Sequence, residues 1–93
     1  MHKRKEHDLE FEQRVKAKLQ AIGRYLYALR HSREKSLKAV GKSIKMSPAL
    51  ISKIEKGGHN FKLTQLFRLA KYYKASIKDI FKADNETDHL SAK

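Results

Sequence analysis

Between residues 22 and 82 this 93-residue chain carries 15 lysines and arginines against 3 acids, Glu34, Glu55 and Asp79, a net charge of +12. The flanks cancel: residues 1–21 hold 6 bases and 4 acids, and residues 83–93 hold 1 base and 3 acids. The positive field therefore comes from the middle of the chain and not from a tail, and a small domain charged in this way attracts polyanions. Other chemistries have no residues to carry them. The five histidines, at 2, 7, 31, 59 and 89, lack metal-ligand spacing, and no cysteine is present to supply a thiolate ligand or a disulfide. No glycine loop precedes a helix to cradle phosphates, and no nucleophile stands at a recognisable spacing from a base. A non-enzymatic protein without cofactor is expected. No apolar run is long enough for a membrane span or a secretory segment, so the expected location is the cytoplasm and no membrane partner is expected.

The elements that must hold these charges are helices. Phe11, Val15, Leu19, Ile22, Leu26 and Leu29 recur at steps of three and four, which keeps one apolar stripe on one face and predicts a long first helix over residues 9–33. Gly23 lies inside it, at a cost of about 1 kcal/mol relative to alanine. A break there, leaving residues 9–20 as a separate segment, is the alternative. Residues 1–8 read as a flexible basic arm, whose Lys3-Arg4-Lys5 run either stays solvated or reaches a minor groove. Ser36 is an N-cap for a short helix to Ile44 that places Leu37, Val40, Gly41 and Ile44 inside and Lys38, Lys42 and Lys45 outside. Ser47 followed by Pro48 is a strong start signal, and the helix it opens buries Leu50 or Ile51, then Ile54, and stops at Gly57-Gly58. Leu63, Leu66, Phe67, Ala70 and Tyr72 or Tyr73 give a fourth helix. Ser76 and Asp79 have the form of a capping box, with Asp in place of Glu, and open a fifth through Ile77, Ile80 and Phe81. Residues 9–82 thus form one all-α domain, and residues 83–93 a polar, disordered tail.

Residues 36–44, then Lys45-Met46, then residues 47–55 leave room for only a tight turn between two short helices, which is the geometry of a helix-turn-helix. Gly41, without a side chain on the inner face, lets the second of these helices cross closely. On these residues, together with Ile22-Gly23, Leu29-Arg30, the run from Ile51 through Gly57, Asn60, Leu63, Leu66, Leu69-Ala70, Ser76-Ile77 and Ile80-Phe81, the chain resembles the lambda-repressor-like (Cro/CI, XRE) family of helix-turn-helix regulators. The match runs over residues 22–81 without a gap. Leu37 stands where that family often has Gln, and Phe61 where it often has Pro. Lys45 replaces the usual turn glycine, so either a non-glycine residue takes a positive φ there or the turn differs.

The resemblance implies a five-helix domain whose third helix, residues 47–55, enters the major groove of duplex DNA while the N-termini of the second and third helices meet phosphates. Carried over position by position, Pro48, Ala49, Ser52 and Lys53 take the base-edge positions. Lys53 would donate to guanine, Ser52 to several bases, and Ala49 would touch a thymine methyl. Ser36, Lys38, Lys42, Ser47, Lys56, the Gly58 amide, His59, Asn60 and Lys62 fall where the family meets the DNA backbone. Arg30 and Glu55 are expected to pair as a structural salt bridge, since a carboxylate facing DNA would repel phosphate. The expected function is a transcriptional regulator that binds DNA as a homodimer, through Ile77, Ile80 and Phe81 or through residues 9–20. The alternatives are an antitoxin that engages a toxin or another protein partner through residues 1–20, and an adaptor that has lost DNA contact.

Overall fold

In the computed structural model, which describes residues 6–83, the chain forms five helices: α1 (Glu6–Ser32), α2 (Leu37–Ile44), α3 (Pro48–Glu55), α4 (Leu63–Tyr73) and α5 (Ile77–Phe81). No strand occurs among the described residues. The expected Lys3-Arg4-Lys5 arm and all but Ala83 of the expected tail lie outside the described residues. Residues 6–8, read from the sequence as part of the arm, open α1 instead.

Each helix start has a local cause. Ser36 Oγ accepts the Ala39 amide at 3.0 Å, Ser47 Oγ accepts the Leu50 amide at 3.0 Å, and Ser76 Oγ accepts the Asp79 amide at 3.3 Å. These bonds satisfy amides that the first turn leaves without partners. The Ser76 box is half formed: Asp79 receives the cap, but no bond returns from its carboxylate to the Ser76 amide. An aspartate is one methylene shorter than the glutamate that normally reaches back. At α4 the half-box runs the other way, with Gln65 Oε1 accepting the Lys62 amide at 2.8 Å.

The core is shared by all five helices and contains Ile22, Leu26, Val40, Met46, Ile51, Ile54, Leu66, Leu69, Ala70, Tyr73 and Ile80. Two ambiguities of the pattern are settled here. Ile51 is buried and Leu50 only half-buried; Tyr73 is buried and Tyr72 half-buried. Leu63 and Phe67, counted in the apolar face of α4, are exposed, because the buried stripe runs through 66, 69, 70 and 73 and Phe67 lies a quarter-turn off it. Burial pushes the Tyr73 hydroxyl up to about 12, with the charge of Glu55 adding to the effect, so the phenol stays neutral.

α1 packs on α3, α4 and α5, while α2 packs on α3 and α4. It does not break at Gly23. A Cβ built there would fall closer than 3.0 Å to the backbone of Ile54 and Glu55, so the missing side chain lets α1 lie directly against the C-terminal turn of α3. Two cationic side chains anchor other helix ends. Lys18 Nζ donates to the carbonyls of Phe81 (2.9 Å) and Ala83 (2.8 Å) at the end of α5, and Arg33 Nη1 donates to the Tyr73 carbonyl (2.8 Å) at the end of α4. A positive charge at a helix C-terminus also opposes the dipole there.

Gly23→Ala sets helix propensity against packing. In an open helix the change would stabilise by about 1 kcal/mol; here overpacking against backbone costs about 1–3 kcal/mol. The expected outcome is a lower melting temperature by circular dichroism, and a rise would mean that α1 does not dock on α3 through this residue.

Candidate nucleic-acid interface

α3 is eight residues long and two-sided. Ile51, Ile54 and Glu55 are buried, while Pro48, Ala49, Lys53 and Lys56 are exposed and Ser52 is half-buried. At 100° per residue, Pro48, Ala49, Ser52, Lys53 and Lys56 share one face. The residues expected at base edges are therefore brought together on the solvent side of α3. Ser36, Lys38 and Lys42 are exposed on α2 and at its cap.

The turn between α2 and α3 takes the strained option. Lys45 adopts the left-handed conformation (φ 59°, ψ 50°), and the Met46 amide donates to the Gly41 carbonyl at 3.0 Å. A left-handed non-glycine residue costs about 1–2 kcal/mol, which the packing on either side of the turn must offset. Gly41 is needed for a closer reason than the crossing of two helices: a Cβ there would collide with the carbonyl of Met46. It makes room for the turn itself, and so for the start of α3.

The end of α3 is closed by its own backbone. Gly57 has φ 74°; its amide donates to the Ile54 carbonyl at 3.0 Å, and the Gly58 amide donates to the Lys53 carbonyl at 3.1 Å. This paired motif is a common helix stop that requires a residue free to adopt positive φ. It corrects one expectation: the Gly58 amide already serves α3 and is not available to a phosphate. His59 is half-buried, whereas Asn60 and Lys62 are exposed in the segment leading to α4.

Glu55, the only acid in α3, points away from this surface. Its carboxylate accepts Arg30 Nε at 2.8 Å and Arg30 Nη2 at 3.0 Å, a two-point pair with side chains 11% and 5% exposed. The third donor of the fork, Arg30 Nη1, reaches the Lys35 carbonyl at 2.9 Å. The hydrogen bonds that Arg30 donates to Glu55 raise the Arg30 pKa above its ordinary value, so the guanidinium stays charged in the interior. One guanidinium thus joins the end of α1, the α1–α2 loop and the end of α3. Sequence reasoning missed Lys35 as the third point and Gly23 as the docking point beside it. The available signal for Gly23 was its place one residue past Ile22, on the flank of the stripe that also holds Arg30. Among the described residues no group of three or more metal-ligating side chains is assembled, and no helix is long and apolar enough to cross a membrane.

The family model described as a helix-turn-helix domain matches residues 21–80, and the chain belongs to that family. Among solved structures, the clp gene regulator ClgR from C. glutamicum superposes with a TM-score of 0.65 at 22% sequence identity, over 69% of this chain and 82% of that one. That likeness supports the fold. No curated protein sequence matches the chain.

The buried pair gives a stability test. Arg30→Met or Glu55→Gln alone leaves a charge without its partner and should cost about 3 kcal/mol. The double variant should be less destabilised than the sum of the two by about 1–3 kcal/mol, measured by urea unfolding. Strict additivity would show that the two side chains do not interact.

Proposed function

We propose that this protein is a sequence-specific, double-stranded DNA-binding transcriptional regulator of the Cro/CI type, which lays the exposed face of α3 in the major groove and binds as a homodimer. The observation that carries the reading is the division of α3: its base-compatible face is exposed and uncharged except for lysine, while its one carboxylate is buried on Arg30. In a chain of net charge +12, that leaves phosphate meeting cations and helix N-termini.

On this reading Lys53 donates to guanine O6 or N7, Ser52 addresses more than one base, and Ala49 and Pro48 give apolar contact to a thymine methyl. Ser36 and Ser47 stand where helix N-termini offer the positive end of the dipole and unbonded amides, a natural seat for phosphate. Lys38, Lys42, Lys56, His59, Asn60 and Lys62 position the duplex without reading it.

Two measurements test this. Affinity for duplex DNA should fall steeply with salt, with a log–log slope of about −0.9 for each phosphate neutralised; a flat dependence would exclude the reading. In a selection from random duplexes, Lys53→Ala should relax preference at one base position at a cost of about 1–3 kcal/mol, whereas Lys56→Ala should weaken every sequence about equally. If both act uniformly, α3 is not the reading helix.

A further inference from the structure

The N-terminal half of α1 is a helix whose apolar stripe is left uncovered by the other described residues. Every residue from Asp8 to Lys16 is exposed, and burial begins only at Ala21. Phe11 is 66% exposed and Val15 37%, on the same face that carries Leu19, Ile22 and Leu26 into the core. An isolated helix of this length has little stability of its own. At its inner end the stripe runs into an open groove of about 310 Å³ whose apolar lining is Val15, Leu19, Ile22, Phe61 and Phe81, bordered as well by two cationic side chains of α1.

We propose that this segment is a homodimer interface, in which it pairs antiparallel with the same segment of a second copy about a two-fold axis near Gln13. The occupant is argued from charge. Acids occupy the first half of the segment (Glu6, Asp8, Glu10, Glu12) and bases the second (Arg14, Lys16, Lys18). On a helix of 100° per residue, Glu12 and Lys16 fall on one flank of the stripe, and Glu10 and Arg14 on the other. Turning a second copy end for end brings the acidic half of each flank against the basic half of the same flank. The same register sets Phe11 of each copy opposite Val15 of the other, at the mouth of the groove. A self-complementary patch of this kind is what a two-fold interface requires.

The position of α3 fits this arrangement. Gly23 and Arg30, which meet α3, both lie on the Glu12–Lys16 flank, and a two-fold perpendicular to the paired helices keeps that flank of both copies on one side of the dimer. From Gln13 to Gly23 is about 15 Å of helix. The two α3 docking points therefore lie about 30 Å apart along the shared axis, near the roughly 34–36 Å between half-sites one duplex turn apart. The proposal gives the homodimer of the preceding section a surface. Its test contains no DNA, so its failure would leave the major-groove reading standing.

The full chain, 10.8 kDa, should sediment at twice that mass at micromolar concentration. Phe11→Glu should sediment as a monomer with its helical circular dichroism retained, while Phe67→Glu, at an exposed apolar residue of α4, should remain a dimer. Because a charge placed in an apolar stripe can weaken the helix itself, a second pair of variants uses surface charges only. Glu10→Lys with Glu12→Lys, and Arg14→Glu with Lys16→Glu, should each be monomeric alone and form a dimer when mixed in equal amounts. Charges that served only to stabilise their own helix would not be rescued by mixing. A monomeric wild type, a dimer indifferent to Phe11→Glu in a folded protein, or charge variants that mixing does not restore would each overturn the proposal.

Discussion

The position of α3 depends on a buried ion pair. Arg30 and Glu55 are held by two hydrogen bonds of 2.8 and 3.0 Å, and the third donor closes on the Lys35 carbonyl. Pairs of this kind seldom add net stability over an apolar replacement, because the cost of removing two charges from water nearly cancels their attraction. What they impose is geometry. A guanidinium fork matches a carboxylate in few orientations, so the pair fixes the rotation of α3 about its own axis. That rotation decides which of its residues face outward. Glu55 also lies in the last turn of α3, where the helix dipole disfavours an anion; Arg30 supplies the compensating charge.

Three glycines make the same arrangement sterically possible. Gly23 lets α1 lie against the carbonyls of Ile54 and Glu55, Gly41 clears the Met46 carbonyl at the turn, and Gly57 packs on Gln20 of α1 while reversing the chain at positive φ. Both ends of α3 are thus set by backbone approach, and its middle is held by Ile51 and Ile54 in the core. The left-handed Lys45 shows that this frame is stiff enough to hold a turn in a conformation its own residue disfavours.

Helix identity and order were legible because their signals are local. Ser36, Ser47 and Ser76 announce helix starts through hydrogen bonds to residues three positions on, and periodicity does the rest. The Arg30 and Glu55 pairing was legible from charge scarcity, since Glu55 is one of 3 acids among 15 bases in residues 22–82 and was expected to turn inward rather than face a polyanion. What escaped was non-local or a matter of reach. Nothing within α4 says that Phe67 lies outside the stripe until α2 and α5 are in place. The half-formed box at Asp79 turns on one methylene. The Gly58 amide was assigned outward because the sequence does not disclose that the stop of α3 uses it. Gly23 read as a weak point because its reason lies thirty residues away, in the carbonyls of α3.

If α3 reads DNA as proposed, the chemistry of its exposed face limits how it can discriminate. It offers lysine, serine, alanine and proline, and no arginine, asparagine or glutamine that could grip a base edge with two parallel bonds. Lysine is a compact charge on a flexible stem and selects weakly by direction. A rigidly posed α3 is the compensation available to such a surface: when one donor and a few apolar contacts must tell bases apart, an error of an ångström in their placement removes the distinction. A second copy at a fixed spacing multiplies two modest preferences into one larger one. Under the proposed function, the physical demands on the frame and on a dimer have the same origin, a reading helix with few strong contacts of its own.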